Sequence, residues 1–328
     1  MFDVGEGVQR QLQFTTMNAG TVDKIFITHM HADHVLGLPG LLLGMSLVQK
    51  AKGNRRTFQI YGPPGLYDYI GMTFNLTKSG LESLDLEIYE MIGGDAVAGE
   101  PFNARKHRSN IIRKTIPRQK DGTWVLQDIP NMPIIKAAEV AHLPGIQTFG
   151  FTVQEQEAPR SINADKAIAM GLKPGRKYEN LKKGTPVWND NGTIFINPEN
   201  VLEGRPRKAR KFSIVGDNYA LSPAMIGLAQ DSDVLVHEAT MTKEQMENGD
   251  AVMRGHSSAE MAGVVAKRVN AKCLVLNHIS PKMKTKPDII DLRNRAKEAC
   301  GETCHLVVAH DFLELMVPLH GFVDVEHE

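Results

Sequence analysis

The sequence predicts an α/β layered protein, and three observations carry that expectation. Apolar runs of strand length recur along the 328 residues. Helix-period segments with cap signals alternate with them. Polar residues with metal or acid–base chemistry sit just past the C-terminal ends of several runs.

The strand candidates are "KIFITH" (24–29), "KFSIVGD" (211–217), "DVLVHEA" (233–239), "KCLVLNH" (272–278) and "HLVVAHD" (305–311). Their Val/Ile/Leu content suits strands buried on both faces. The helix candidates are 36–49 ("LGLPGLLLGMSLVQ"), "SPAMIGLAQD" (222–231), "SSAEMAGVVAKRV" (257–269) and "DIIDLRNRAKEA" (288–299). The third opens with Ser257-x-x-Glu260, a capping-box pattern. Residues 101–133 and 156–210 are polar, basic and rich in Gly, Pro and Asn, and read as long excursions from the core.

Hydrophobic residues make up 42% and charged residues 23%, the balance of a globular domain with a buried core. No apolar run reaches the length of a membrane span, so no membrane partner is expected. The three cysteines (Cys273, Cys300, Cys304) form no framework, which points to a reducing, intracellular compartment; cytoplasm is the simplest, with nuclear or organellar placement left open. The formal net charge is zero, yet the cations cluster. Residues 101–120 hold seven Lys/Arg and no acid, residues 160–183 seven against two acids, and "GRPRKARK" (204–211) five more. Three such patches in a neutral protein point to a polyanion.

The densest chemistry is "FITHMHADHVLGLPG" (26–40), which places His29, His31, Asp33 and His34 within six positions. Alternating histidines leaving a strand point one way, and the tight loop after them turns the next pair to a second point. Imidazole and carboxylate together suit zinc, and two donors for each of two metals fits the spacing. Further donors stand at other strand ends: Asp217, His237, Glu238 and His278. His142 lies in "VAHLPGIQTFGF" and His256 in "GHSSAE".

"THMHADHVLGLPGLL", "FSIVGDN", "DVLVHEAT", "GHSSAEMA", "VLNHIS" and "AHDFLELMVP" occur in the order seen in ribonuclease Z, and the chain resembles that family from residue 1 to about 318. The resemblance implies the αββα sandwich of the metallo-β-lactamase superfamily with an inserted flexible arm at about 156–210, and a zinc endonuclease that removes the 3′ trailer of precursor tRNA. It implies one zinc on His29, His31 and His142, a second on Asp33, His34 and His278, and Asp217 bridging both. Asp33 would also take a proton from the attacking water. His256 would act as general acid, oriented by Glu238. The segment "DKAIAMGLKPGRKYENLKKG" (165–184) resembles the arm that grips tRNA, with Gly175-Arg176 where Gly-Pro is usual. Lys173, Arg176, Lys177, Lys182 and Lys183 are its implied tRNA contacts. A homodimer is implied too, the arm of one subunit serving the site of the other.

The chain departs from the pattern in four places. Family members begin with two strands and a Gly-rich turn ahead of "LFDCGEGTQRQ", and Met1 stands where that leucine would be, so the first strand pair is expected to be missing. Val4 and Val8 replace a frequent cysteine and threonine. Asn218 replaces the threonine of "GDT" and is expected to donate a hydrogen bond to the site. Two other functions remain compatible with the sequence: a small-molecule hydrolase on this fold, and an inactive RNA-binding or dimer-partner chain.

Overall fold

The computed structural model describes residues 1–93, 110–157, 159–204, 208–283 and 285–318. These fall into two compact units, 1–153 with 211–328, and 154–210.

The larger unit is built on two sheets. The first has four parallel strands in the order β1 (Lys24–Phe26), β2 (Arg56–Gly62), β3 (Leu84–Ile92) and β4 (Ile111–Pro117). β5 (Thr123–Gln127), β6 (Ile134–Ala141) and β7 (Thr148–Gln154) begin the second sheet. Short strands β8 (Ser161–Ile162), β9 (Val187–Trp188), β10 (Phe195–Ile196) and β11 (Leu202–Glu203) belong to the smaller unit. β12 (Lys211–Val215), β13 (Ala220–Leu221), β14 (Val234–Glu238), β15 (Cys273–Asn277) and β16 (His305–Val308) complete the second sheet. Its order is β13-β6-β7-β12-β14-β15-β16, with β5 also on β6. β12, β14, β15 and β16 run parallel.

Three apolar clusters explain why the layers stack as helix, sheet, sheet, helix. Ile25, Ile60, Leu86 and Ile88 of the first sheet pack with Leu38, Leu42, Ile70 and Phe74 of helices Leu38–Ala51 and Leu66–Leu76. Phe26, Tyr61 and Met91 of the first sheet meet Trp124, Ile135, Phe149 and Phe151 of the second. Leu235, Leu274 and Leu306 on the other face of the second sheet pack with Ala262, Ala266, Leu292 and Ala296 of helices Ala259–Arg268 and Lys286–Cys300. Each sheet is apolar on both faces, so neither is stable without a helix layer outside and the other sheet inside. This is the αββα sandwich expected.

All five strand candidates form strands, and all four helix candidates form helices. The cap of Ala259–Arg268 is displaced by one residue. Ser258, not Ser257, accepts the Met261 amide (3.3 Å), and Ser257 Oγ instead donates to the Asn218 carbonyl (2.6 Å).

The excursions need correction. Residues 101–109 lie outside the described residues, but most of 110–127 is core structure. β4 closes the first sheet, and β5 brings Trp124 fully buried between the sheets. Trp124 Nε1 donates to the Ile92 carbonyl (3.0 Å), and its ring meets Phe149 edge-on at 5.2 Å. The basic residues there (Arg113, Lys114, Arg118) lie on β4 and just past its end, and give the segment its polar reading. The smaller unit is not a coreless linker either. Ala167, Leu172, Leu181, Val187, Ile196 and Val201 form a small core of their own.

Residues 1–3 line the outer edge of β1: Phe26 N donates to the Met1 carbonyl and Asp3 N to the Phe26 carbonyl (both 2.9 Å). No helix among the described residues is long and apolar enough to cross a membrane.

Trp124→Ala removes the largest fully buried side chain of the inter-sheet core. Denaturant unfolding is expected to show a loss of about 3–5 kcal/mol. An unchanged midpoint would mean that β5 is dispensable.

Candidate metal centre

The polar cluster lies where strand ends of the two sheets meet. His29 leaves β1 fully buried; His31 precedes the one-turn helix Ala32–Val35, which carries Asp33 and His34. His142 follows β6, Asp217 follows β12, Glu238 ends β14 and His278 follows β15. Parallel strands end their side chains on one rim, and these residues occupy it. The sheets approach closely there. A Cβ on Gly216 would lie 2.6 Å from Thr28 Cβ and 3.0 Å from the Phe149 carbonyl, so only glycine fits.

The donor atoms gather in two groups around Asp217. In the first, His31 Nδ1 is 3.0 Å from His29 Nε2 and 3.3 Å from His142 Nε2. In the second, Asp33 Oδ2 is 3.3 Å from His278 Nε2 and 3.5 Å from His34 Nε2. Asp217 Oδ2 lies 3.9 Å from His29 Nε2, 3.6 Å from His34 Nε2 and 3.5 Å from His278 Nε2. Within each group the donor atoms lie within 4.8 Å of one another.

The rear of four of the five rings is held. His34 Nδ1 bonds Asp3 (2.7 Å), His142 Nδ1 the Gly255 carbonyl (2.6 Å), His278 Nδ1 the Thr240 hydroxyl (2.7 Å), and His29 Nδ1 the Thr28 hydroxyl (3.0 Å). Each contact turns Nε2 toward the cluster, the arrangement of metal-ligating histidines. Gly255 (φ 70°) permits its own contact, since a Cβ there would fall 2.6 Å from His142 Nδ1. His278 itself sits at φ 50°, steadied by Thr240, whose hydroxyl also donates to its carbonyl (2.8 Å).

The residues fit a metal. His34 Nε2 is buried with no hydrogen-bond partner, an expensive state unless its lone pair is used. Imidazole nitrogens and carboxylates are the donor set of zinc. The electrostatics agree. Burial, together with the charge on His34, pushes His29 down to about 2, and burial lowers His31 and His142, so these rings present lone pairs. Burial opposes charge on His34 as well, but Asp217 and Asp3 outweigh it and raise it to about 10. Burial would raise Asp217, yet His34 and His278 hold it well below the usual carboxylate range. The carboxylates therefore hold positive charge within the cluster, the place a bound cation would take.

His256 stands beside the cluster, its Nδ1 3.0 and 3.2 Å from the Glu238 carboxylate oxygens and 3.7 Å from Asp217 Oδ2. Burial disfavours its charged form, but Glu238 outweighs that and raises its pKa. Glu238 is 1% exposed and also accepts the Asn218 amide (2.6 Å).

The structure thus brings together His29, His31, Asp33, His34, His142, Asp217, Glu238, His256 and His278. His237 is excluded; it is fully buried on the other side of β14, its Nδ1 bonded to the Glu238 carbonyl (2.8 Å). The Asn218 side-chain amide donates to the Gly216 carbonyl (2.9 Å), not to the site as expected. Asp3, Thr28, Thr240 and Gly255 are supports that the sequence does not announce. Asp3 lies in "FDVGEG", an identifiable motif, but hydroxyl and carbonyl partners carry no distinctive spacing. Of the arm cations, Lys173, Arg176, Lys182 and Lys183 are exposed in the smaller unit, whereas Lys177 turns in to the Asn189 carbonyl (3.0 Å) and Asp190 (3.4 Å).

Comparisons with known proteins agree with this geometry. The chain is 36% identical over 318 residues to ribonuclease Z of Bacillus subtilis (strain 168), covering 97% of this chain and 88% of that protein. It is 33% identical over 338 residues to the human zinc phosphodiesterase ELAC protein 1, covering 97% and 90%. The solved structure of human tRNase Z, short form (ELAC1), matches with a TM-score of 0.63 at 27% identity, covering 97% of this chain and 87% of that one. The metallo-β-lactamase fold protein YhfI from Bacillus subtilis matches in fold, with a TM-score of 0.53 at 15% identity over 95% and 85%. A family model described as "Anti-Pycsar protein Apyc1" matches residues 1–70.

Asp3→Asn replaces the acceptor behind His34 with a group able to present an N–H there. Chelator competition is expected to show zinc affinity falling about 10–100-fold, with the circular dichroism spectrum unchanged. Undiminished affinity would remove Asp3 from the account.

Proposed function

The chain belongs to the ribonuclease Z family, and from that premise we propose that it is a zinc-dependent endoribonuclease that removes the 3′ trailer of precursor tRNA. The products would be a tRNA 3′-hydroxyl and a trailer 5′-phosphate. The observation that carries the reading is the Glu238–His256 pair set against the two donor groups that share Asp217. A hydrolytic metal site needs the donors alone; a buried carboxylate holding a histidine beside them adds a proton donor.

In this reading His29, His31 and His142 would hold one zinc and Asp33, His34 and His278 the other, with Asp217 available to both. Bound zinc supplies Lewis acidity toward the phosphodiester and lowers the pKa of water. Asp33 accepts the proton of the attacking water as the new P–O bond forms. The P–O3′ bond breaks in line, and His256 gives its proton to the departing O3′. Glu238 fixes the ring through Nδ1 and favours its protonated form. Asp3, Thr28, Thr240 and the Gly255 carbonyl keep the other imidazoles aimed, so that little reorganisation accompanies reaction.

The exposed cations of the smaller unit support phosphate binding by the arm. A homodimer is supported by an apolar cleft of about 390 Å³, lined by residues including Leu12, Met17, Leu41, Met45 and Val48, with Phe14 and Leu47 exposed in the same segments. Sedimentation is expected to give a dimer; a monomer that still cleaves precursor tRNA would contradict it.

Cleavage of a 5′-labelled precursor tRNA tests the central step. The wild type is expected to cut at the end of the mature sequence, and His256→Ala to lose about 10²–10⁴-fold in kcat with its zinc retained. A wild type that cuts only small phosphodiesters, or a fully active variant, would contradict the proposal. Replacing Lys173, Arg176, Lys182 and Lys183 by Ala together is expected to raise KM for tRNA. It should also flatten the salt dependence of log kcat/KM by roughly 1 for each phosphate that is no longer neutralised. An unchanged slope would release the arm from that role.

A further inference from the structure

His256 also lines a cavity of about 450 Å³ that the metal-binding donors do not account for. Leu143, Met241 and Met253 give it apolar walls, and Thr240, Gln245, Arg254, Ser280 and Lys282 give it polar ones. Met253 is 80% exposed. Lys282 is exposed, and its ammonium group makes no ion pair among the described residues. Neither side chain backs any of the donor imidazoles described above.

The place of the cavity restricts what can fill it. If His256 protonates O3′, that oxygen belongs to the last nucleotide kept on the tRNA. In-line displacement puts the attacking water on the opposite side of phosphorus, and the trailer stays with phosphorus through O5′. The sugar and base attached to O3′ therefore lie on the His256 side. The walls suit them. Thioether and leucine side chains pack against a base face without selecting one base. An ammonium group suits the phosphate on the 5′ side of the same nucleotide. A volume of this size is in the range of small-ligand sites and admits one nucleotide.

We propose that this cavity is the subsite for the last nucleotide retained on the tRNA, its base against Met253 and Leu143 and its 5′-phosphate at Lys282. The proposal rests on the assignment of His256 above. It gives the site a recognition element for the leaving nucleoside, separate from the arm.

The test compares the wild type with Met253→Ala, Met253→Leu and Lys282→Ala on three substrates: a precursor tRNA, the same precursor made abasic at the last retained nucleotide, and bis(p-nitrophenyl) phosphate. Met253→Ala is expected to lose about 2–10-fold in kcat/KM on the normal precursor, as for one thioether–ring contact. On the abasic precursor it should lose nothing further, and Met253→Leu should keep most of the activity. Lys282→Ala should lose on both precursors. Lys282→Ala should hydrolyse the small ester at about the wild-type rate, because that ester carries no 5′-phosphate. Equal loss on abasic and normal precursors for Met253→Ala, loss on the small ester for Lys282→Ala, or no loss at all would each overturn the subsite. A wild type that hydrolyses the ester but leaves both precursors uncut would instead remove the tRNA reading on which the subsite rests, and the subsite with it.

Discussion

Seven side chains from four strand ends bring ring nitrogens and carboxylate oxygens into a space a few ångströms across, where they only partly satisfy one another. His29, His31, His142, His34 and His278 have their rear nitrogens engaged or face another ring's lone pair, while Asp33 and Asp217 bring negative charge. Such an assembly is unfavourable as a set of neutral rings and as a set of charges. A cation resolves both problems, and the remainder of the fold can be read as the means of holding the assembly until one is bound. The inter-sheet core fixes the spacing of the strand ends, and the outer helices cover the far face of each sheet.

The same constraint explains details that otherwise look unrelated. Asp3 is joined to the first sheet by its own backbone and reaches both Thr28 and His34, so the opening segment is part of the support of the centre. Gly216 and Gly255 are places where any side chain would push on this support. Glu238 is almost wholly buried, which a carboxylate tolerates here because His256 and the Asn218 amide share it. A buried carboxylate with that partner favours a cationic His256, while burial favours neutral rings at His29, His31 and His142 a few ångströms away.

Much of this is legible in the sequence, for a physical reason. Strands buried on both faces, such as β14 and β15, read as continuous apolar runs, and the residues just beyond them are the ones chemistry uses. The four polar residues of "HMHADH" declare themselves by density, and the partners at positions 217 and 278 by their place at strand ends, whereas His142 follows β6, which is not among the strand candidates. The less legible elements have a different periodicity. β3 ("LDLEIYEMI") alternates apolar and polar residues and buries one face, while β4 ("IIRKTIP") is mostly exposed and so reads as part of a polar excursion. Trp124 stands alone between polar segments and gives no pattern. Hydroxyls and carbonyls behind the rings are too common in any sequence to signal, and only the fold brings them there.

Anomalous diffraction at the zinc absorption edge would test the central claim most directly. The account predicts two peaks, one among His29, His31 and His142 and one among Asp33, His34 and His278, with Asp217 between them. A single peak, or peaks elsewhere in a protein that still cleaves precursor tRNA, would contradict it.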